Sequence, residues 1–511
     1  MSENFNALGQ PAFAWTHCAL DSMRPFSGKA WLTMRPKLRD EAEVYAASLG
    51  GFTFESDRKI TTIARLATPS GADDWSHEAA NAGDSFASSD KLATPPFGLL
   101  WYSGTIDRLF SPEFEFHHNR NPYPTLANGR LFMLAANEAH AVDAYTGRHL
   151  WKVTVAASEK ADRRLDDHRT FSRPTDQNVI ATADRLYLIR EHDAQIYDAA
   201  TGKRLGEIVT QSSDHWDEVR IEGDTLFVAL GSELLAMNRE TGALKWKRKG
   251  DMESVAFVLG GGRVYVIDYS ASRSRQNKAV EAFDATMLVL NQTDGAMQWS
   301  VPLKSDARPE QTDVSVGRPT WSGVFLDNPL KPKLVYSDKQ EVVLAVLDRH
   351  QYFAFQAAKG TALWQFETSA RLSDLVRFES PTVTGDLCIF GDGRIADILT
   401  GKPAGPQAVG VRGTGCNRVV GSDALLTFRS AIAAFIDLES NERNYFSCTR
   451  SGCTNSMIPA GGILNAPNFA HGCVCNYPFL TSFALYHLPE TSKWQPKNRP
   501  NVEGQADPTK D

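Results

Sequence analysis

The sequence predicts an all-β fold, an eight-bladed β-propeller of four-stranded antiparallel blades, with a seven-bladed ring as the alternative and a small α/β extension at the N-terminus. Three observations carry the expectation. A strand–turn–strand unit recurs along the chain, its copies keep a regular spacing, and a second strand signal precedes most of them.

The unit is clearest at residues 141–151, AVDAYTGRHLW. Val142 and Tyr145 flank Asp143, whose carboxylate suits the backbone N–H groups of a tight turn, and Gly147 supplies the left-handed position that closes it. Leu150 and Trp151 then return the chain to a buried sheet. Copies stand at residues 196–203, 235–246, 289–299 and 353–364, with a weaker one at 396–402 and a degenerate one at 434–441. The turn glycines are Gly147, Gly202, Gly242, Gly295, Gly360 and Gly401, in steps of 55, 40, 53, 65 and 41 residues. A period near 40 with loop insertions is the spacing of a four-stranded propeller blade.

The second signal is a small-residue turn followed by an alternating strand, as at residues 128–133, 183–188, 223–228 and 262–266. Tryptophan follows the turn at Trp151, Trp246, Trp299 and Trp364, and Trp101 stands on the first such strand. Counting these with the Leu205 region, the Pro403 region and the segment after Asn441 yields eight blades.

The Ala-x-Asp-x-x-Thr-Gly-x-x-x-Trp pattern resembles the repeat of pyrroloquinoline-quinone (PQQ)-like β-propellers, a superfamily with quinoprotein alcohol dehydrogenases and bacterial outer-membrane assembly lipoproteins among its members. The resemblance spans roughly residues 70 to 490 and implies that each tryptophan packs between neighbouring blades. A buried indole removes roughly 150–250 Å² from water, on the order of 4–6 kcal/mol gross. It does not imply bound PQQ, because many members keep the repeat without the quinone.

The 511 residues, 42% hydrophobic and 23% charged, suit a large buried core. A net charge of −7 and the lack of any Lys/Arg run argue against a nucleic-acid partner. No run of 18 apolar residues offers a membrane span, and the first 20 residues lack the pattern of a signal peptide.

Residues 1–69 read as a short α/β extension: a strand over 28–34, a helix over 37–49 ending at Gly50-Gly51, and a strand over 59–66, too little to bury a core of its own. This stretch resembles the tail of a Rossmann-like methyltransferase domain, without the Gly-rich turn that would bind a methyl donor. The propeller is expected over 70–490, beginning at residues 72–77, with residues 481–486 closing the ring against the N-terminal part. A Cys-rich insertion spans 410–477, and 491–511 reads as a disordered tail.

Candidate chemistry sits outside the repeat. Cys388 lies in the apolar run Leu387-Cys388-Ile389-Phe390 and reads as a buried, inert thiol, and Cys18 is isolated. Cys416, Cys448, Cys453, Cys473 and Cys475 crowd the last hundred residues. The segment around Cys453, His471, Cys473 and Cys475 resembles that of propellers from planctomycete-type bacteria, which implies four recurring cysteines matching Cys416, Cys453, Cys473 and Cys475. Two disulfides are the first reading, and a thiolate metal site with His471 as a further ligand is the second. Disulfides would suit an extracytoplasmic (periplasmic) compartment, in tension with the missing signal sequence.

His117 and His118 form the best polar cluster near a strand end, a pore-facing ligand or cofactor-binding pair against a structural one. Asp166-Asp167-His168 and Asp214-His215-Trp216-Asp217 read as solvated loop charge. The chain has no adjacent cysteine pair, no placeable calcium set, and none of the serine-hydrolase, zinc-protease or phosphate-loop motifs.

The expected function is a non-catalytic binding or scaffold module that holds a protein or small ligand on one loop face and needs no cofactor. The alternative is a quinoprotein-like oxidoreductase or metal-dependent enzyme, using PQQ or a metal ion in a central funnel built from His117, His118 and the Cys-rich segment.

Overall fold

In the computed structural model, every repeat unit of the sequence becomes the outer half of an antiparallel sheet. The structure describes residues 12–26, 28–57, 60–103, 123–134, 138–155, 179–190, 192–210, 212, 215–273, 280–304, 331–347, 351–367, 380–390, 393–405, 419–430, 432–446, 457–467 and 481–494.

Eight sheets follow one another as blades: blade 1 (125–154), blade 2 (179–209), blade 3 (218–249), blade 4 (254–304), blade 5 (333–367), blade 6 (382–397), blade 7 (420–446) and blade 8 (458–487). Each runs from an innermost strand outwards in chain order. Blade 6 has three described strands, and blade 8 takes its outermost strand, Phe97–Ser103, from the other end of the chain. Ser482–His487 pairs antiparallel with Phe97–Ser103, which closes the ring as the sequence leads one to expect.

Hydrophobic clusters lie between blades. Leu126, Leu131 and Val142 of blade 1 meet Ile458, Ala460 and Ile463 of blade 8, and a comparable cluster joins each other pair of neighbours around the circle. Burial on both faces explains why Thr225–Leu230 and Val342–Leu347 are buried at every position, whereas outermost strands such as Leu244–Lys249 are largely exposed.

The N-terminal residues build more than the sequence suggests. Helix Ala12–Asp21 and strand Phe52–Asp57 join strand Gly28–Leu32, helix Pro36–Leu49 and the central strand Ile60–Arg65. Leu20, Met23, Ala42, Ala46 and Ile63 form a separate core there, so the expectation of a fragment without its own core is corrected. The first helix escapes a periodicity reading because its sequence is apolar nearly all round. Residues 489–494, expected to open a disordered tail, form a 3₁₀ helix.

Residues 73–90, in the stretch expected to begin the propeller, form a strap that runs round the inside of the ring, and its Ala87–Ser88 pairs in parallel with Val420–Ser422 as an inner fifth strand of blade 7. The strap is rich in Ala, Gly and Ser, and small side chains let its backbone approach the inner strands.

Candidate functional site

The repeat residues meet between blades as the tryptophan reading requires. In the turn, Asp143 Oδ1 accepts from Tyr145 N at 2.9 Å, and Asp198 Oδ1 accepts from Thr201 N at 2.8 Å. Each tryptophan then docks on the turn of the following blade. Trp101 Nε1 donates to Ala144 O, Trp151 to Ala199 O, Trp246 to Gln292 O, Trp299 to Ala357 O and Trp364 to Ile398 O, all within 2.8–3.1 Å. The indoles lie against Gly147, Gly202, Gly295, Gly360 and Gly401 respectively. Gly242 faces Ile208 instead, because blade 2 has no tryptophan; Leu205, the expected substitute, is exposed. In blade 7 the left-handed turn position is Asn441, which explains why that copy looks degenerate.

The strap decides the character of the axis. It touches the innermost strands of all eight blades in order. Trp75 exchanges hydrogen bonds with Leu126 of blade 1 at 2.7 and 2.8 Å. Ser76 O accepts from Ala181 N (2.8 Å, blade 2), and His77 Nε2 accepts from Ile221 N (3.2 Å, blade 3). Ala82 O accepts from Leu259 N (2.9 Å, blade 4), Gly83 O from Tyr336 N (2.8 Å, blade 5), Ser85 O from Val383 N (2.8 Å, blade 6) and Phe86 O from Gly421 N (3.0 Å, blade 7). At blade 8 the strand offers Pro459, which has no N–H, and the polarity reverses: Ser88 Oγ donates to Pro459 O at 2.5 Å. Asp90 Oδ2 then accepts from Gly462 N at 2.6 Å.

These contacts fall near the C-terminal ends of the inner strands, the face that also carries the repeat turns. Trp75, Glu78, Ala79 and Ala80 are buried among them, and Phe86 packs beside them, so this end of the axis is a solid floor. By antiparallel topology the opposite face collects the connections between second and third strands and those between blades. The strand ends flanking residues 104–122, 156–178, 406–418, 447–456 and 468–480 all lie there. Those segments carry His117, His118, Asp166, Asp167, His168, Cys416, Cys448, Cys453, His471, Cys473 and Cys475, which fall outside the described residues. The disulfide and metal readings fall outside with them; among the described residues no group of His, Cys, Asp and Glu could hold a metal ion.

Cys388 is wholly buried, and desolvation raises its thiol pKa, which keeps it protonated and inert. Cys18 is exposed. The reading of residues 214–217 as solvated is corrected in part: Trp216 is buried and donates to Thr210 Oγ1 at 3.1 Å, and Asp217 Oδ2 accepts from Gly231 N at 2.8 Å. His215 stacks on His192 with centroids 4.6 Å apart.

Along the inner strands, ionisable groups are already committed within the chain. Arg220, almost fully buried, donates to Asp84 Oδ2 at 2.8 Å and to Val219 O at 2.9 Å, with its guanidinium over Phe257. Lys331 pairs with Glu218 at 2.9 Å. His77 Nε2 is an acceptor, so Nδ1 carries the proton and faces Ser76 Oγ at 2.8 Å. Burial, aided by Arg220, lowers the His77 pKa to about 3. Burial raises that of Asp74, which accepts from Asn128 N, to about 6.

The two groups act on stability with opposite signs. For His77 the unfolded chain binds the extra proton, so stability is lost as pH falls from about 6.5 towards 3. For Asp74 the folded chain binds it, so stability is lost as pH rises from about 4 to about 6. Denaturant titrations across pH 4–7 are expected to show His77→Gln weakening the loss on acidification. Asp74→Asn should steepen that loss and raise stability at pH 7. Parallel profiles for both variants and the parent would contradict the assignment.

The family model described as outer membrane protein assembly factor BamB matches residues 59–187 and 190–316, half of the chain. The chain belongs to this family of PQQ-like repeat propellers. No curated protein matches it. Among solved structures, BamB from Moraxella catarrhalis is 14% identical, with 60% of this chain and 77% of that one covered and a TM-score of 0.36. Quinohemoprotein alcohol dehydrogenase from Comamonas testosteroni is 14% identical over 71% of this chain and 58% of its own, with a TM-score of 0.38. A europium-containing methanol dehydrogenase is 11% identical over 71% and 89%, with a TM-score of 0.36.

Proposed function

We propose that this family member is a non-catalytic binding or scaffold module that holds a protein or small-molecule ligand on the face opposite the strap. The observation that carries the reading is the strap itself. Residues 73–90 occupy the axis at one end and satisfy inner-strand groups in every blade, so among the described residues the ring is a cup closed at that end. The floor supplies packing, with Arg220 spent on the strap's Asp84, and at the other ends of the inner strands Lys331 is spent on Glu218. A quinone tricarboxylate needs cations free to meet it, and the described floor residues do not fit that need. The strand ends that flank the segments bearing His117, His118 and the cysteines lie on the face opposite the strap, where a partner would be read by loops on a rigid scaffold. The name of the family model, an assembly factor, agrees with a protein partner and with an extracytoplasmic setting for the Cys-rich segment.

The test is reconstitution. Purified protein incubated with PQQ and calcium or a lanthanide is expected to take up no stoichiometric quinone and to show no dye-linked alcohol oxidation. A bound quinone absorbance band with turnover would replace this reading by the oxidoreductase one. Metal analysis with thiol counting on the same sample separates disulfides (no metal, cysteines cross-linked) from a thiolate site.

A further inference from the structure

Strand Leu244–Lys249 is the outermost strand of blade 3, and its outer edge pairs with nothing among the described residues. Its sequence, Leu-Lys-Trp-Lys-Arg-Lys, places four cations and no carboxylate in six residues of a chain with net charge −7. No other outermost strand of the ring carries more than two basic residues.

Part of this charge is used locally. Lys245 reaches Asp224 Oδ1 at 2.7 Å. Lys247 and Lys249 enter no ion pair among the described residues, although Glu233 stands opposite Lys249 in the sheet register. Arg248 is the informative residue. It lies on the same sheet face as Trp246, towards blade 4, where its Nη2 meets Met297 Sδ at 3.9 Å. Its Nε is buried with no hydrogen-bond partner. Met297 beside it is 53% exposed, and Leu244, turned to the other sheet face by the bulge at Lys245, is 55% exposed.

Lysines on a free edge also deter edge-to-edge pairing. That purpose does not call for a guanidinium set against the wall with its Nε–H unmet. A backbone edge unpaired among the described residues, a cationic row with Lys247 and Lys249 outside any ion pair there, and an exposed apolar side chain on each face define a strand-addition site.

We propose that an extended acidic segment of a partner protein adds to blade 3 as a fifth strand along Leu244–Lys249. Its carboxylates would meet Arg248 on one sheet face and Lys247 and Lys249 on the other, with one apolar side chain over Met297 on the first face and another over Leu244 on the second. This surface lies on the outer wall, separate from the face opposite the strap.

The probe is a fluorescein-labelled peptide of repeated Glu-Glu-Val, which sets carboxylates and valines on both faces of an extended strand, measured by anisotropy against the full chain. Binding is expected, weakened about tenfold or more by the double change Lys247→Glu/Lys249→Glu, by Arg248→Gln and by high salt. Arg248→Lys should recover only part of the loss. Methylating alternate backbone nitrogens of the peptide should abolish binding, because a ladder needs those N–H groups. The lysine changes are on the surface and should leave the melting curve unchanged, so they remain informative if Arg248→Gln perturbs packing. The proposal is overturned by no binding, by charge-reversed variants that bind equally, or by an N-methylated peptide that binds as well. Displacement by a single-stranded oligonucleotide of equal charge would overturn it too, marking a generic polyanion patch.

Discussion

Replacing Gly360 by alanine is expected to destabilise the ring far more than the same change at Gly262, although the two share a backbone conformation. Their φ angles are +69° and +71°. At Gly262 an added Cβ meets nothing within 4 Å, so only the left-handed strain remains, about 1–2 kcal/mol. At Gly360 the new carbon would sit 2.6 Å from the indole of Trp299, and the ring must shift or lose its bond to Ala357 O. Overpacking of that kind adds about 1–3 kcal/mol, for a total of roughly 2–5 kcal/mol. Chemical denaturation of both variants gives the comparison. Equal losses would mean that the tryptophan does not rest on the turn. The same contact between Trp101 and Gly147 seals blade 8 against blade 1, so Gly147→Ala should open the ring at its seam.

Asp84→Asn is expected to cost about 3–5 kcal/mol, because it takes a carboxylate away from the buried Arg220 guanidinium. The side chains are 1% and 15% exposed, so water screens the pair weakly. Arg220→Met removes the charge and restores apolar packing on Phe257, so the double variant should be more stable than Asp84→Asn alone. A double-mutant cycle measures this directly, with a coupling of about 2–3 kcal/mol expected. A coupling near zero would show that this ion pair does not hold the strap to blade 3. The result also bears on function, since Asp84 ties the floor of the cup to blade 3.

Much of this architecture is legible in residue order because it is local. Asp143, Gly147 and Trp151 lie within nine positions, and a turn whose carboxylate caps its own N–H groups needs no distant partner. Repetition of that local signal reveals the ring, and the pairing of Ser482–His487 with Phe97–Ser103 follows from the need to leave no open seam. Where the local signal fades, so does the reading. Ile208 replaces the missing tryptophan of blade 2 from a strand position that the motif does not mark. Asn441 hides the blade 7 turn because it adopts the left-handed conformation without being glycine.

The strap is a different matter. Residues 73–90 have neither a period of two nor one of 3.6, and their meaning lies wholly in partners up to 372 positions away, as between Asp90 and Gly462. The candidate ligands His117 and Cys475 are distant in sequence and fall outside the described residues; only the strand ends that flank their segments lie on one face, set by the direction in which strands enter and leave the ring. By itself, then, the sequence determined the repeat, the blade number and the tryptophan docking, all of which rest on contacts within or between adjacent copies. Only the tertiary structure decided that one end of the axis is closed by the chain's own backbone. Backbone hydrogen bonds are blind to side-chain identity, so no residue pattern announces them before the ring has formed.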